Sequence, residues 1–476
     1  MPRCLPAALT LLCLGVATAS AAAPSDALLE EAATLRENAI AHGDAWRHAH
    51  SLTTEVGPRF AGSAGDRAAV AWALANLPGL GFDEIRAQPV TVPAWERGTA
   101  EVRILQPYPQ PLVAVALGMT VGTPEAGITA PVRRFDSLDA LLAAGAETVR
   151  GHIVYIDERM ERTRDGSGYG PAVQKRARGP SAASERGAVA MVVRSVGTSS
   201  HRFAHTGGTR FAEGVRPIPA FALSNPDADL LSAQLAGDRE VILRVHSTAR
   251  SLPPARSANI IADIRGAERP DEIVILGAHL DSWDLGTGAH DNAAGVAMLM
   301  EAGRLIAMMP RRPSRTIRVV LYANEEAGLD GSRTYTAAAV ESGDRHIVGI
   351  EADSGAGLIY EFSSGVGEEA LPIVEAMRQV LAPLGIEGGD NTARGGADLS
   401  TLRATGMPIL ALQHDMSEYF DLHHTANDTI DKVDPAALRQ AVAAYAVVAW
   451  IAANTPGDFG RFPDAPPPTD PAQTTR

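Results

Sequence analysis

Four apolar segments in the last third of the chain constrain the fold most strongly. Each is nearly continuous in apolar residues, which is typical of strands that are buried on both faces. Helical patterns separate them, and alternating strands and helices pack as a sheet with helices on both sides. The pattern therefore predicts a three-layer α/β/α domain. The predicted strands are 272–278, 317–323, 346–352 and 408–413.

Metal-binding and proton-carrying side chains follow all four predicted strands. In strand order they are His279 and Asp281, then Glu325 and Glu326, then Asp353, and last a loop with His423 and His424. In open α/β sheets, ligands bind beyond the carboxyl ends of the strands. We therefore expect these side chains to meet at one edge of the sheet.

Asp291 stands at the start of a predicted helix, 292–309. An Asp in this position has an ordinary explanation, since its carboxylate can cap the free backbone N–H groups of the helix. Its place between the first two strand ends favours a functional role instead, as a further ligand at the same edge.

The chemistry of these residues predicts a metal centre. Imidazole and carboxylate ligands without thiolate suit Zn²⁺, with Mn²⁺ or Co²⁺ as alternatives. Five such ligands exceed the three that one catalytic zinc usually takes from a protein, so they fit two metals that share a bridging carboxylate. Glu325 and Glu326 are adjacent at a strand end and point to opposite sides, so one can bind metal while the other acts as general base.

The order of these motifs resembles the co-catalytic zinc exopeptidase family, which includes secreted bacterial aminopeptidases, glutamate carboxypeptidases and carboxypeptidases Q. The fit to the carboxypeptidase Q branch is best, and it covers most of the chain. The motifs that carry it are 279–286 with Gly288 and Asp291, 324–326, 351–353, and 423–425 with Asp428 and Thr429.

The resemblance implies a role for each site residue and two Zn²⁺ per chain. His279 and Asp353 would bind one zinc, Glu326 and His424 the other, and Asp291 would bridge both. Glu325 would be the general base, and Asp281 would hydrogen-bond the second ring nitrogen of His279. The metal-binding histidine of the family directly precedes a threonine, as His424 precedes Thr425. The resemblance therefore implies that His424 is the ligand and that His423 has a structural role.

Three further residues are weaker candidates. Tyr419 is expected to donate a hydrogen bond to the oxyanion of the transition state. His205 lies in a loop that we expect to close over the substrate, although an ordinary loop His fits as well. Asp398 resembles a family Asp near the site and receives no role.

The rest of the chain divides into four parts. Residues 1–23 combine Arg3, an apolar run and Ala-x-Ala steps, which is typical of a cleaved signal peptide. Residues 24–119 and 251–455 are assigned to a discontinuous peptidase domain with a mixed sheet. Residues 120–250 are assigned to an inserted α+β domain of the protease-associated type, and 456–476 to a disordered tail.

Composition excludes several partners and chemistries. The chain has 56 acidic and 42 basic residues, a net charge of −14, which disfavours nucleic acid. Both cysteines, Cys4 and Cys13, lie in the predicted signal peptide, so the mature chain has no thiol for catalysis or metal binding. We expect a secreted or periplasmic protein without membrane attachment once the signal peptide is removed.

The expected activity is hydrolysis of small peptides, above all unblocked dipeptides, by a carboxypeptidase Q-like dipeptidase or carboxypeptidase. An aminopeptidase of the same family is one alternative, and a single-zinc acyl-transfer enzyme such as a glutaminyl cyclase is another. An alternative of a different class is a non-catalytic binding protein on the same fold. The resemblance also implies a homodimer, although no residue of the sequence demonstrates one.

Overall fold

Two mixed β-sheets of eight strands each organise the protein. A computed structural model describes residues 23–462, so the predicted signal peptide lies outside the described residues except for Ala23. The strands are β1 (Glu84–Glu96), β2 (Ala100–Gln106), β3 (Gln110–Leu112), β4 (Ala114–Ala116), β5 (Ile128–Phe135), β6 (Ile153–Ile156), β7 (Ala190–Arg194), β8 (Ala220–Leu223), β9 (Ile242–Ser247), β10 (Arg250–Ile264), β11 (Arg269–His279), β12 (Arg315–Tyr322), β13 (Arg345–Glu351), β14 (Ile359–Gly365), β15 (Glu387–Gly388) and β16 (Ile409–His414).

Helices accompany both sheets. They are α1 (Asp26–His42), α2 (Ala45–Ser51), α3 (Ala64–Asn76), α4 (Leu138–Ala143), α5 (Ala146–Val149), α6 (Tyr169–Ala177), α7 (Gly179–Glu185), α8 (Asn225–Leu235), α9 (Ala294–Ala307), α10 (Asp330–Ser342), α11 (Leu371–Leu381), α12 (Ser400–Arg403), α13 (Tyr419–Leu422) and α14 (Pro435–Asn454). Several begin at a residue whose side chain accepts a backbone N–H, as Ser25 does for α1 and Ser63 does for α3.

The first sheet has the strand order β1-β10-β12-β11-β13-β16-β14-β15. Its four central strands are those predicted from the sequence, and they run parallel to one another. One face packs on α1, α3, α9, α11 and α14. The other face packs on α10 and α12, through Tyr335, Ala339 and Leu402. The mixed sheet between two helix layers is the expected three-layer arrangement.

The second sheet has the strand order β3-β2-β9-β5-β6-β7-β8-β4 and spans residues 100–247. It thus begins earlier than the predicted boundary at 120, because β2, β3 and β4 pair within this sheet. We refer to residues 100–247 as the insert. The long antiparallel pair of β1 and β10 leads into and out of it.

The start of the predicted tail is ordered. Residues 456–462 pack on the peptidase domain, and Phe459 and Phe462 are both buried. The Phe459 carbonyl accepts the Gly367 N–H at 3.0 Å. A disordered tail therefore cannot begin before residue 463, and the rest of that prediction concerns residues outside the described range.

Helix α14 is long and apolar enough to cross a membrane by length and composition. Its side chains lie inside the peptidase domain, with Tyr445 and Trp450 fully buried. Core packing accounts for its apolar composition.

We predict that Phe459→Ala lowers the free energy of unfolding by about 3–5 kcal/mol, since it empties a buried aromatic site. Denaturant unfolding followed by circular dichroism measures the change. Val340→Ala, which truncates a side chain that is 65% exposed on α10, should alter stability by less than about 0.5 kcal/mol. Equal stability of the Phe459→Ala and unmodified proteins would contradict the assignment of this segment to the core.

Candidate metal centre

The predicted strand-end residues lie together at one edge of the first sheet. The strands that lead to them, β12, β11, β13 and β16, are neighbours in the sheet and run in the same direction. Their carboxyl ends therefore point to the same side. Asp291 reaches this edge from the segment just before α9.

One group of donors surrounds His279. Its Nε2 atom lies 3.2 Å from Oδ1 of Asp291 and 3.2 Å from Oδ1 of Asp353. One donor atom from each of these residues lies within 4.8 Å of the other two, which is a spacing that fits a shared metal ion. His279 is almost fully buried.

A second group surrounds His424. Its Nε2 atom lies 3.2 Å from Oδ2 of Asp291 and 3.1 Å from Oε2 of Glu326. Asp291 thus presents one carboxylate oxygen to each imidazole and lies between the two groups. This is the position that a bridging ligand would take.

The electrostatics of the two groups fit divalent cations. Burial and the neighbouring Asp291 carboxylate raise the pKa of Glu326 to about 7. Burial also raises the pKa of Asp353, with Asp291 adding to the effect. Within the described residues, the buried Oε1 atom of Glu326 has no hydrogen-bond partner. Crowded carboxylates with an unpartnered oxygen need a positive charge, and zinc accepts this set of imidazole and carboxylate donors.

The carboxylate of Asp281 has different partners from the one predicted. The Nδ1 atom of His279 is closer to the backbone carbonyl of Asp281, at 3.1 Å, than to the carboxylate, at 3.6 Å. The Asp281 carboxylate instead accepts the backbone N–H groups of Glu325 (3.1 Å) and Glu326 (3.3 Å). It therefore supports both His279, through its carbonyl, and the segment that carries the two glutamates.

Glu325 faces the same cavity as the predicted ligands. Burial raises the pKa of its carboxyl well above the usual range, with the carboxylates of Asp353 and Glu326 adding to this and His279 opposing it. A carboxyl whose pKa is raised in this way accepts a proton more readily near neutral pH, which is what a general base requires.

Two residues that position the centre were missed as functional residues in the sequence. The Asp428 carboxylate accepts the backbone N–H groups of His290 (2.7 Å) and Asp291 (3.1 Å). The fully buried Arg59 guanidinium donates to the carbonyls of Leu280 (2.6 Å), Thr287 (2.6 Å) and Gly288 (2.9 Å). Asp428 belongs to the motif that carried the resemblance, whereas Arg59 stands in a turn that gave no signal.

The insert contributes directly to the environment of His424. The Thr206 carbonyl lies 3.2 Å from Nδ1 of His424, and the Thr206 N–H donates to the His424 carbonyl at 2.9 Å. Nη1 of Arg176 also lies 3.3 Å from this Nδ1 atom. In the tautomer whose Nδ1–H donates to Thr206, the lone pair of Nε2 faces Asp291 and Glu326. The insert therefore orients the ring as well as covering the site.

The prediction that His205 contacts the substrate is wrong for this structure. His205 is fully buried, and its Nδ1 lies 2.8 Å from the His423 carbonyl. It does not line the cavity at the metal centre. Its ring packs against Gly197, where an added Cβ atom would lie 2.2 Å from the ring. His205 supports the backbone beside His424.

His423 lies beside the predicted ligands but contacts fewer of them. Its ring stacks on that of His424 with centroids 3.5 Å apart. Its Nε2 atom is 3.6 Å from Asp291, farther than that of His424. One donor atom from each of Asp291, His423 and His424 lies within 4.8 Å of the other two, so the structure makes His423 an alternative ligand to His424, beyond the structural role expected for it.

Tyr419 and Asp398 both lie near the centre. Tyr419 lines the cavity, and burial raises the pKa of its hydroxyl well above the usual range, with Asp291 and Asp353 adding to the effect. Asp398 is buried, and within residues 23–462 neither of its carboxylate oxygens has a hydrogen-bond partner. The structure gives Asp398 no contact from which we can assign a role.

The centre opens into a cavity of about 590 Å³ between the peptidase domain and the insert. The peptidase wall carries Asp291, Glu325, Glu326, Asp353 and His424. The insert wall carries Tyr169, Arg176, Arg178, Thr209 and Arg210. A substrate in this cavity would contact both domains.

Comparisons with known proteins agree with this geometry. A model of peptidase family M28 matches residues 259–449. Carboxypeptidase Q of Bos taurus is 33% identical over 407 residues, which cover 85% of this chain and 84% of that protein. The chain belongs to peptidase family M28. The resemblance inferred from the metal motifs is confirmed, and the chain is a zinc-dependent exopeptidase of this family.

Solved structures also match. The peptidase M28 precursor from Shewanella amazonensis SB2B has 47% identity and a TM-score of 0.90, and the match covers 92% of this chain and 99% of that chain. The zinc aminopeptidase BSAP from Bacillus subtilis has 19% identity and a TM-score of 0.64, over 86% of this chain and 94% of that chain. The second likeness concerns the fold alone.

We predict that His424→Ala loses one bound zinc ion per chain, because its Nε2 is within 3.2 Å of two other donors. His423→Ala is the matched control and should keep the zinc content of the unmodified protein. Metal analysis by mass spectrometry after dialysis measures both. Loss of zinc from the His423 variant alone would mean that His423 is the metal ligand and His424 is not.

Proposed function

We propose that the protein is a di-zinc exopeptidase of the carboxypeptidase Q type that hydrolyses unblocked dipeptides. The observation that carries this proposal is that Asp291 lies within 3.2 Å of both His279 and His424, which also contact Asp353 and Glu326, with Glu325 facing the same cavity. In this proposal His279 and Asp353 would hold one zinc, Glu326 and His424 would hold the other, and Asp291 would be shared by both.

Two zinc ions, when bound, would acidify a water molecule and polarise the scissile carbonyl. The chain's own residues supply the proton transfers and the geometry. Glu325 would accept a proton from the attacking water and pass it to the nitrogen of the leaving amine. Asp281 would keep Glu325 in place, since its carboxylate accepts the Glu325 N–H.

The hydroxyl groups that line the cavity are candidates for stabilising the transition state. Tyr419 would donate a hydrogen bond to the oxyanion, as the sequence suggested. Tyr169 on the insert wall is a second candidate, and its hydroxyl already accepts a hydrogen bond from Arg176 at 2.9 Å.

The shape of the site supports short substrates with free ends. A second cavity of about 410 Å³ shares Asp353 and Gly396 with the first. Its lining includes Glu351, Glu361 and Asp390 as well as Arg394, and the excess of carboxylates suits a protonated amino group. The first cavity has arginines on its insert wall, which suits a carboxylate. A dipeptide whose bond lies at the metal centre would place one free end in each cavity.

We further propose secretion or export to a periplasm, on the basis of the apolar run and Ala-x-Ala steps in residues 1–23. The absence of cysteine from residue 14 onward fits an oxidising compartment, since no thiol is left to oxidise there.

We predict that Glu325→Gln lowers kcat for a dipeptide by about 10³-fold, because the amide cannot accept the proton of the attacking water. Both zinc ions should remain bound. Steady-state kinetics and metal analysis on the same preparation separate the two effects. Loss of zinc together with activity would make Glu325 a ligand instead of a base.

Three matched substrates test which ends are recognised: a free dipeptide, its N-acetylated form and its C-amidated form. We predict that the zinc-loaded protein cleaves the free dipeptide at least about tenfold faster than either blocked form, because each block removes a charge that a cavity is expected to bind. Cleavage of the free and amidated forms alone would make the protein an aminopeptidase, the principal alternative.

A protein that binds two zinc ions and cleaves none of the three substrates would favour the non-catalytic alternative. A single zinc ion per chain would favour an acyl-transfer enzyme of the glutaminyl cyclase type.

A further inference from the structure

Arg97 lies at the junction between the peptidase domain and the insert. It stands between β1 and β2, where the chain leaves the first sheet and enters the second. Its side chain is only 8% exposed, and it does not line the cavity at the metal centre. A buried charge is costly unless it is paired and hydrogen-bonded. The partners of Arg97 therefore show which parts of the protein it holds together.

The two ends of the Arg97 guanidinium contact different domains. Its Nε atom donates to the two carboxylate oxygens of Asp284, at 3.0 Å and 2.9 Å, and Nη2 donates to the same carboxylate. Its Nη1 atom donates to the Thr206 hydroxyl at 2.8 Å and to the Ala116 carbonyl. Asp284 lies in the loop that follows β11 and His279, whereas Thr206 and Ala116 belong to the insert. Arg97 thus joins the metal-binding loop to the insert.

Both sets of contacts lead to His424. The Thr206 carbonyl, next to the hydroxyl that Arg97 contacts, lies 3.2 Å from Nδ1 of His424. Trp283 directly precedes Asp284, and its ring meets that of His424 edge to face with centroids 5.7 Å apart. The Arg97 guanidinium lies 5.6 Å from the centroid of the Trp283 ring. Groups in contact with Arg97 therefore hold His424 from two directions.

Trp283 is packed too tightly to move independently of this arrangement. Its ring stacks on that of Phe60 with centroids 4.9 Å apart, and the side chain is almost fully buried. A Cβ atom added to Gly118 of the insert would lie 2.0 Å from the ring. Because close-packed interiors transmit displacements, a shift of the Asp284 loop would reach His424 through Trp283.

We propose that Arg97 is a positioning residue for His424, and that it sets the affinity of the zinc ion bound there by holding Asp284 and Thr206 together. This inference rests on the proposed function. Groups that orient a metal-bound imidazole typically change metal affinity or activity by about 10- to 100-fold. Arg97 acts in this way through Thr206 and Trp283, and the junction between the two domains thereby becomes part of the metal centre.

Positioning and simple electrostatics predict opposite results for Arg97→Met. Loss of a positive charge beside the centre, taken alone, would strengthen the binding of a cation. Loss of the contacts that orient His424 would weaken it. Arg97→Lys keeps the charge, but one ammonium group cannot replace a planar guanidinium that reaches both Asp284 and Thr206. The direction of the change in zinc affinity therefore distinguishes the two explanations.

The experiment measures both zinc dissociation constants by competition with a chromophoric chelator, in the unmodified protein, Arg97→Met and Arg97→Lys. Arg318→Met is the matched control. Arg318 is also 8% exposed and pairs with Asp263 at 2.7 Å, but it lies on the far side of the sheet from α9 and α14 and does not line the cavity.

We expect Arg97→Met to weaken one zinc site by about tenfold or more and to change the other by less than about threefold. Arg97→Lys should resemble Arg97→Met more than the unmodified protein. At limiting zinc, kcat for Ala-Ala should fall in both variants, and excess zinc should restore most of it because the ligands are intact. Arg318→Met should lower stability and keep both zinc constants.

A double variant identifies the zinc site that responds. His424→Ala is expected to leave one zinc ion, and adding Arg97→Met should not weaken it further, since the contact partner of the junction is already gone. If Arg97→Met does not fold, Thr206→Val tests the same link, because it removes the hydroxyl that accepts from Nη1 and retains Arg97. It should weaken the same site.

Four results would overturn the inference. Unchanged or tighter zinc binding in Arg97→Met would leave His424 independent of Arg97. Recovery of full affinity in Arg97→Lys would assign the effect to charge. Equal weakening of both sites, or the same weakening in Arg318→Met, would indicate general destabilisation. Further weakening in the double variant would place the effect at His279. A single zinc ion in the unmodified protein would instead refute the proposed function, and this inference with it, before any variant is compared.

Discussion

The crowding of buried carboxylates around two imidazoles governs the rest of this structure. Asp291 contacts His279 with one oxygen and His424 with the other, while Asp353 and Glu326 complete the two groups. Like charges held this close and away from water are unstable unless cations join them. Backbone N–H groups stabilise two of the neighbouring carboxylates, because Asp281 and Asp428 each accept two of them beside the centre. These contacts fix the geometry, and zinc is expected to supply the missing charge.

Much of this centre could be predicted from the sequence, because its ligands follow strands. Each strand is a short, almost fully apolar segment, and parallel neighbours place their carboxyl ends at one edge. The predicted segments coincide with β11, β12, β13 and β16 to within a few residues. The helix at Asp291 was also placed correctly, although α9 begins at Ala294.

What escaped prediction depends on contacts between distant backbones. Arg59 is 221 residues from the Leu280 carbonyl that it contacts, and no local pattern marks such a pair. The boundary of the insert was misplaced because nothing in the sequence of β2 indicates that it pairs with β9 and not with a strand of the first sheet. His205 looked accessible because it stands in a glycine-rich loop, yet that loop is buried against His423.

Two contacts between Thr206 and His424 join the second sheet to the candidate metal centre of the first. A cover that merely closed over a finished active site could be exchanged between related enzymes as a module. Here the covering domain also orients one of the imidazoles at the centre, so a transplanted insert would have to reproduce that edge as well as its substrate-facing wall. Exchange of a whole insert between related enzymes is therefore expected to disturb the metal centre as well as the wall of the cavity.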